Sequence, residues 1–216
     1  MSTVQARADR VLAPTEPRLI PGPHGLHRGK SPAWWGMVLL IVTEAIFFSI
    51  LLTTYWYLRF QHGPVWPPDG IAKPELWPLI GIMTPVLLLS SAPMHWAELG
   101  IKHGRQWQLR TGLVLTFLMG ATFLALQGVE YSQKLAEFTP RTDAYGTLFF
   151  TITGFHGFHV LVGLLMNLWL QWYAWRGAFT EDRYVPVENV VMYWHFVDAV
   201  WVFILVTVYL SPRFWS

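Results

Sequence analysis

The stretch MYWHFVDAVWVFILVTVYL, Met192 to Leu210, decides how the chain folds. Nearly every residue in it is apolar or aromatic, and a helix of ~20 such residues crosses the hydrocarbon core of a bilayer. Yet His195 and Asp198 stand inside it, three residues apart. A charge at mid-bilayer costs ~3 kcal/mol or more, so such groups turn towards protein, water or a partner chain. The stretch predicts a membrane-crossing helix whose polar stripe meets something other than lipid.

Working outward, four more stretches have the same character. The expected spans are about 34–58, 76–99, 109–131, 145–175 and 189–210, joined by short polar connectors. The connector QHGPVWPPDGIAKP, Gln61 to Pro74, is too rich in Pro and Gly to be helical throughout. Composition agrees. Of 216 residues 53% are hydrophobic and 13% charged, about half the charged fraction of a soluble domain, and 13 are Trp. The fold class is therefore all-α: a polytopic membrane protein with five transmembrane helices in one antiparallel bundle. Residues 1–31 form a polar N-terminal segment and 32–216 the transmembrane domain. A net charge of +2 argues against a nucleic-acid partner, and the lack of Cys excludes disulfides, thiolate metal sites and iron–sulfur clusters. Residues 1–31 carry no apolar core of a cleavable signal peptide.

Basic residues set the expected orientation. Ten of them lie before span 1 or between spans 2 and 3 and spans 4 and 5, against five on the other side. That asymmetry places the N-terminus in the cytoplasm and the C-terminus in the periplasm. Trp34, Trp35, Trp66, Trp77, Trp107, Trp172, Trp175 and Trp215 fall near span ends, as an aromatic belt does. In span 2, Pro78 suits a helix start, whereas Pro85 and Pro93 each remove a backbone donor and predict a bend.

The ionisable residues within or beside the spans are the candidate site. Glu44 lies ten residues into span 1, about 15 Å deep at 1.5 Å per residue. It shares a face with Phe47, Phe48, Leu51 and Tyr55, and reads either as a protonatable site or as a hydrogen-bonded lock between helices. Glu98, Glu130 and Glu188 stand near span ends, within reach of the interface. His156 and His159, one turn apart in GFHGFHVLVG, share a face with Gly163 and Asn167, while Gly154 and Gly157 admit a neighbouring helix. Two such histidines suit interhelical hydrogen bonding, or two ligands of a metal that needs one or two more. Glu188, His195 and Asp198 fall on one stripe of span 5. It is expected to face the bundle and to pair with the span-4 histidines and Glu44, as a polar zipper or as part of a proton relay. Nothing in the sequence supplies a nucleophile, an oxyanion hole or an open metal position.

Four motifs, in order along the chain, resemble those of subunit III of the haem–copper respiratory oxidases, the cytochrome c oxidase type. TEAIFFSILLTTYWY resembles its SExMFFxxFxxxFxY helix, which makes Glu44 the counterpart of an intramembrane glutamate. LMGATFLALQGVEYSQ resembles G-x-x-F-x-x-x-Q-x-x-E-Y, with Glu130 the matching acid. GFHGFHVLVG resembles GFHGxHVxxG, and YWHFVDAVWVFILVTVY resembles the closing signature, with Glu188 seven residues ahead of His195 where the family carries a glutamate. Longer members have seven helices. The resemblance implies that this chain begins at the third, the five-helix form of many bacterial subunits, in the bacterial inner membrane.

What the resemblance implies is a non-catalytic subunit of a proton-pumping terminal oxidase that reduces O2 to water. It carries no cofactor, and the haems and copper belong to the partner subunits. It packs beside subunit I, near subunit II and further small subunits, supports proton uptake and binds phospholipid. Glu44 is then a possible protonatable site. Glu130, His156, His159, Glu188, His195 and Asp198 form a polar inter-helix and docking network, with no catalytic or metal residue. Two alternatives stay open: a homologous subunit of a quinol oxidase or beside a nitric oxide reductase, and a stand-alone proton or ion transporter.

Overall fold

A computed structural model of the chain describes residues 30–62, 66–68, 76–141 and 143–214. Residues 1–29 of the expected N-terminal segment, most of the first connector, and Trp215 lie outside the described residues. Among the described residues five helices are long and apolar enough to cross a membrane, and there is no strand. They are α1 (Pro32–Gln61), α2 (Leu79–Lys102), α3 (Gln106–Glu137), α4 (Ala144–Trp175) and α5 (Val185–Ile204). The last continues through a π-helical stretch, Leu205–Leu210, into the short α6, Ser211–Phe214.

Local chemistry sets the ends. The α1 helix starts on Pro32, and α5 carries Pro186 in its first turn, where a missing N–H costs nothing. The Asp143 side chain caps α4 by accepting from the Gly146 N–H at 2.7 Å. Between α2 and α3 the chain reverses within a few residues, and Gly104, at φ +69°, supplies the left-handed conformation the turn needs. The α2 helix runs continuously through Pro85 and Pro93, and Pro78 sits just before its first residue, as suits a helix start.

Contacts along the helices give their directions. On α4 and α5 they run in opposite order: Phe149 meets Tyr209, His156 meets Trp201, and Gly163 lies under Trp194. On α3 and α4 they do the same, from Gln127 on Thr153 to Arg110 on Ala174. The tightest crossing joins α2 and α3. A Cβ on Gly112 would stand 2.5 Å from the Pro93 carbonyl oxygen and 2.7 Å from the Ala97 methyl, so only glycine admits this approach. Trp194 and Trp201 donate to Ser90 at 2.9 Å and Thr84 at 3.1 Å, which ties α5 back to α2 and closes a ring of four helices.

The expectation of one bundle with consecutive neighbours needs correcting at α1. This helix packs on α5 and α4, with no packing of comparable extent on its successor α2. It runs antiparallel to α4, where Phe47 touches Phe155, but parallel to α5, where Ala33 faces Asn189 and Arg59 faces Ser211. The connector from residue 62 to 78 permits this. An extended chain covers ~3.3 Å per residue, enough to pass over a neighbouring helix end.

Candidate functional site

The polar side chains inside these helices gather into separate clusters, each built across a helix–helix contact. The first joins α1 and α4. Nε2 of His159 lies 3.0 Å from Oε2 of Glu44, while Nδ1 of the same ring lies 2.7 Å from the Phe155 carbonyl oxygen. A carbonyl only accepts, so Nδ1 carries a hydrogen. The contact between Nε2 and the carboxyl then requires one more proton shared between them, on one side or the other. Phe48 packs edge-on against the His159 ring and Phe47 against Phe155. The His159 side chain is 10% exposed and that of Glu44 30%, so the pair reaches the outer surface through its carboxyl.

His156, one turn earlier, does something different. It is fully buried, stacked on Trp201 at 5.0 Å and edge-on to Phe123 at 5.8 Å, and neither ring nitrogen has a hydrogen-bond partner. The two histidines therefore do not act as a pair. Among the described residues no group of three or more His, Asp or Glu side chains converges in a metal-binding arrangement.

The second cluster joins α5 to α2 and corrects the expected pairing of His195. Its partner is neither a span-4 histidine nor Glu44. Asp198 is 6% exposed and accepts a hydrogen bond from Ser91. The Ser91 hydroxyl also lies 2.9 Å from Nδ1 of His195. Ser91 thus stands between histidine and acid. The stripe does not face the bundle throughout either: Asp198 points inward, Glu188 is half-buried and His195 is exposed. The reason is rotational. The inward line of α5 is taken by Tyr193, Trp194, Val197 and Trp201, which leaves His195 on the flank beside α2. There its ring lies 6.4 Å from that of His95. Nδ1 of His95 is 3.4 Å from Oε2 of Glu98, whose Oε1 accepts from Lys102 at 2.6 Å.

The third cluster lies towards the opposite end. Glu130, 3% exposed, accepts from the Tyr209 hydroxyl at 3.1 Å. The π-helical stretch positions this donor: one widened turn shifts the phase of the side chains beyond Ile204, and Thr207, Val208 and Tyr209 are buried. One turn beyond Glu130, the buried Lys134 pairs with Glu137 at 2.8 Å. These side chains, with Gln133 and Trp77, line a polar cavity of about 240 Å³. Between α1 and α5 runs a second cavity, of about 260 Å³, walled by Ala45, Phe48, Leu52, Phe196, Val200 and Phe203.

Ser91, His95 and Tyr209 were not legible as site residues in the sequence. Ser91 and Tyr209 look like ordinary occupants of apolar helices. His95 did leave a signal, an imidazole three residues before Glu98 in a membrane span.

Comparison with known proteins matches residues 21–216 to the family described as cytochrome c oxidase subunit III. The chain is 36% identical over 179 residues to a cytochrome c oxidase subunit 3 of Arabidopsis thaliana, covering 81% of this chain and 67% of that protein. It is 35% identical over 178 residues to that of Podospora anserina, covering 81% and 65%. Against that of Scyliorhinus canicula it is 36% identical over 181 residues, covering 81% and 68%. The chain thus spans about two thirds of the length of these relatives. With the family pattern extending over most of its length, this membrane chain belongs to the cytochrome c oxidase subunit III family.

Proposed function

We propose that the chain is the non-catalytic subunit III of a proton-pumping terminal oxidase of the cytochrome c type, which reduces O2 to water. The observation that carries this reading is the family match over residues 21–216. The geometry is consistent with it: Glu44, Glu130, His159 and Asp198 are spent on bonds between helices. In this reading Glu130, His159, Glu188, His195 and Asp198 hold the bundle together and shape the face that docks on subunit I, His156 adds only its stacking on Trp201, and Glu44 with His159 is a protonatable pair. The redox centres belong to the partner subunits. The apolar cavity between α1 and α5 takes a phospholipid acyl chain, since its walls are almost wholly hydrocarbon. The excess of basic residues at the end bearing Pro32 and Lys102 orients the N-terminus to the cytoplasm. The membrane is the bacterial inner membrane, as for the five-helix forms the sequence resembles.

The test is purification from the native membrane in mild detergent. The chain is expected to co-purify with a haem-bearing subunit and with oxidase activity fed by reduced cytochrome c, and to show no haem absorbance once separated. Migration alone would overturn the reading. Proton flux through the isolated chain in liposomes, lost in Glu44→Gln, would favour a transporter instead. Activity fed only by quinol would move the assignment to the sister oxidases.

A further inference from the structure

Six side chains capable of exchanging protons run from one end of the bundle towards its middle along the α2–α5 contact. Lys102, the last residue of α2, holds Glu98 at 2.6 Å; Glu98 holds His95; His95 faces His195; His195 meets Ser91; and Ser91 donates to Asp198. From Lys102 to Ser91 is eleven residues of helix, a descent of about 16 Å. Two of the six are enclosed: Glu98, 7% exposed, between Lys102 and His95, and Asp198 at the inner end. His95 and His195 lie on the outside of the chain, Asp198 is 6% exposed, and its Oδ1 has no hydrogen-bond partner.

We propose that this line is a proton relay that loads the buried Asp198 carboxyl from the bundle end bearing Lys102, with Ser91 as the obligatory link between His195 and Asp198. The hydrogen-bond directions define the step. Ser91 has one hydroxyl hydrogen and gives it to Asp198, so the 2.9 Å contact with His195 requires Nδ1–H to donate to Ser91. In that state Nε2 holds the free lone pair. The His95 and His195 rings stand 6.4 Å apart by centroid, so a solvent water carries the proton across that gap to Nε2 and makes the His195 ring an imidazolium. Nδ1 passes its hydrogen to Ser91 Oγ, and Ser91 passes its own to Oδ2 of Asp198. The ring ends neutral with its hydrogen on Nε2, Ser91 is again a hydroxyl, and Asp198 is a carboxylic acid, so one proton has moved. The titratable groups that act on His195 besides this pair, His95 and Glu98, both come from α2. The relay goes beyond the oxidase assignment and does not depend on it.

The test uses the full chain in its native membrane, with whatever partners it has there. After photorelease of acid, time-resolved infrared spectroscopy follows the carboxylic C=O band of Asp198, assigned by its loss in Asp198→Asn. Ser91→Ala is expected to slow the rise of that band about tenfold or more, because a positioned proton carrier is removed, and Ser91→Thr to restore it. A band that rises equally fast in Ser91→Ala, or no acid-dependent band at Asp198, overturns the proposal. A second measurement needs no variant: nitrogen-15 resonance of His195 in the unaltered chain. The hydrogen is expected on Nδ1 while Asp198 is charged and on Nε2 once Asp198 is protonated. A hydrogen that stays on Nε2 throughout overturns it equally.

Discussion

His159 and Glu44 share a proton across the α1–α4 contact: Nε2 of the ring stands 3.0 Å from Oε2 of the carboxyl, and the other ring nitrogen is committed to the Phe155 carbonyl. The helix that packs least with its sequence neighbour is thus held partly by a polar bond. Glu44→Gln should preserve this bond, because an amide N–H donates to the Nε2 lone pair and no charge is stranded. Glu44→Leu leaves the ring nitrogen without a partner, which costs about 1–3 kcal/mol. Thermal unfolding of the purified complex should rank Gln close to the parent and Leu below it. The reverse order would show that the bond does not hold α1.

The two histidines of GFHGFHVLVG should separate cleanly on substitution. His156→Leu removes two ring nitrogens that bond to nothing and loses a stack on Trp201 worth about 0.5–1.5 kcal/mol, so the complex should assemble with little loss of stability. His159→Leu strands a carboxyl at bilayer depth and should weaken assembly on native gels. Equal damage from both would instead indicate that the rings act as one ligand pair.

Tyr209→Phe removes the hydroxyl that donates to the enclosed Glu130 and should lower stability by about 1–3 kcal/mol. Because the two groups serve each other, Tyr209→Phe combined with Glu130→Leu should cost less than the sum of the single changes. A double-mutant cycle on thermal stability measures this, and additive effects would mean that the bond contributes nothing.

Glycines give a steric test of the α2–α3 crossing. Gly112→Ala drives a methyl into the Pro93 carbonyl oxygen at 2.5 Å and should destabilise by about 1–3 kcal/mol. On the same helix, Gly128→Ala meets nothing within 4 Å and should be neutral or slightly stabilising. Urea or thermal midpoints of the two variants should therefore fall on opposite sides of, or clearly apart from, the parent value.

The existence, number and approximate bounds of the helices were legible in the sequence. The expected span 145–175 and the observed Ala144–Trp175 differ by one residue, while α3 extends six residues beyond the expected 131, to Glu137. Spans are legible because they follow from local composition: ~20 apolar residues suffice to cross hydrocarbon, whatever their neighbours. The same apolarity hides most of the packing. A helix that is hydrophobic all round shows no periodic stripe to say which side meets protein, so in α1 only Glu44 pointed to partners on other helices, and the lack of extensive packing on α2 was not visible in its residues.

For the polar residues the division is similar. Sequence alone determined that Glu44, His159 and Asp198 need partners at bilayer depth, because an unpaired polar group there costs several kcal/mol, while it left Glu130 within reach of the interface. Tertiary structure alone decided which partners they have: Ser91 from α2 between His195 and Asp198, and Tyr209 brought to Glu130 by a π-helical turn. A hydrogen bond needs its atoms within about 3 Å of each other. For residues 79 or 107 positions apart in the chain, only the packing of whole helices sets that distance.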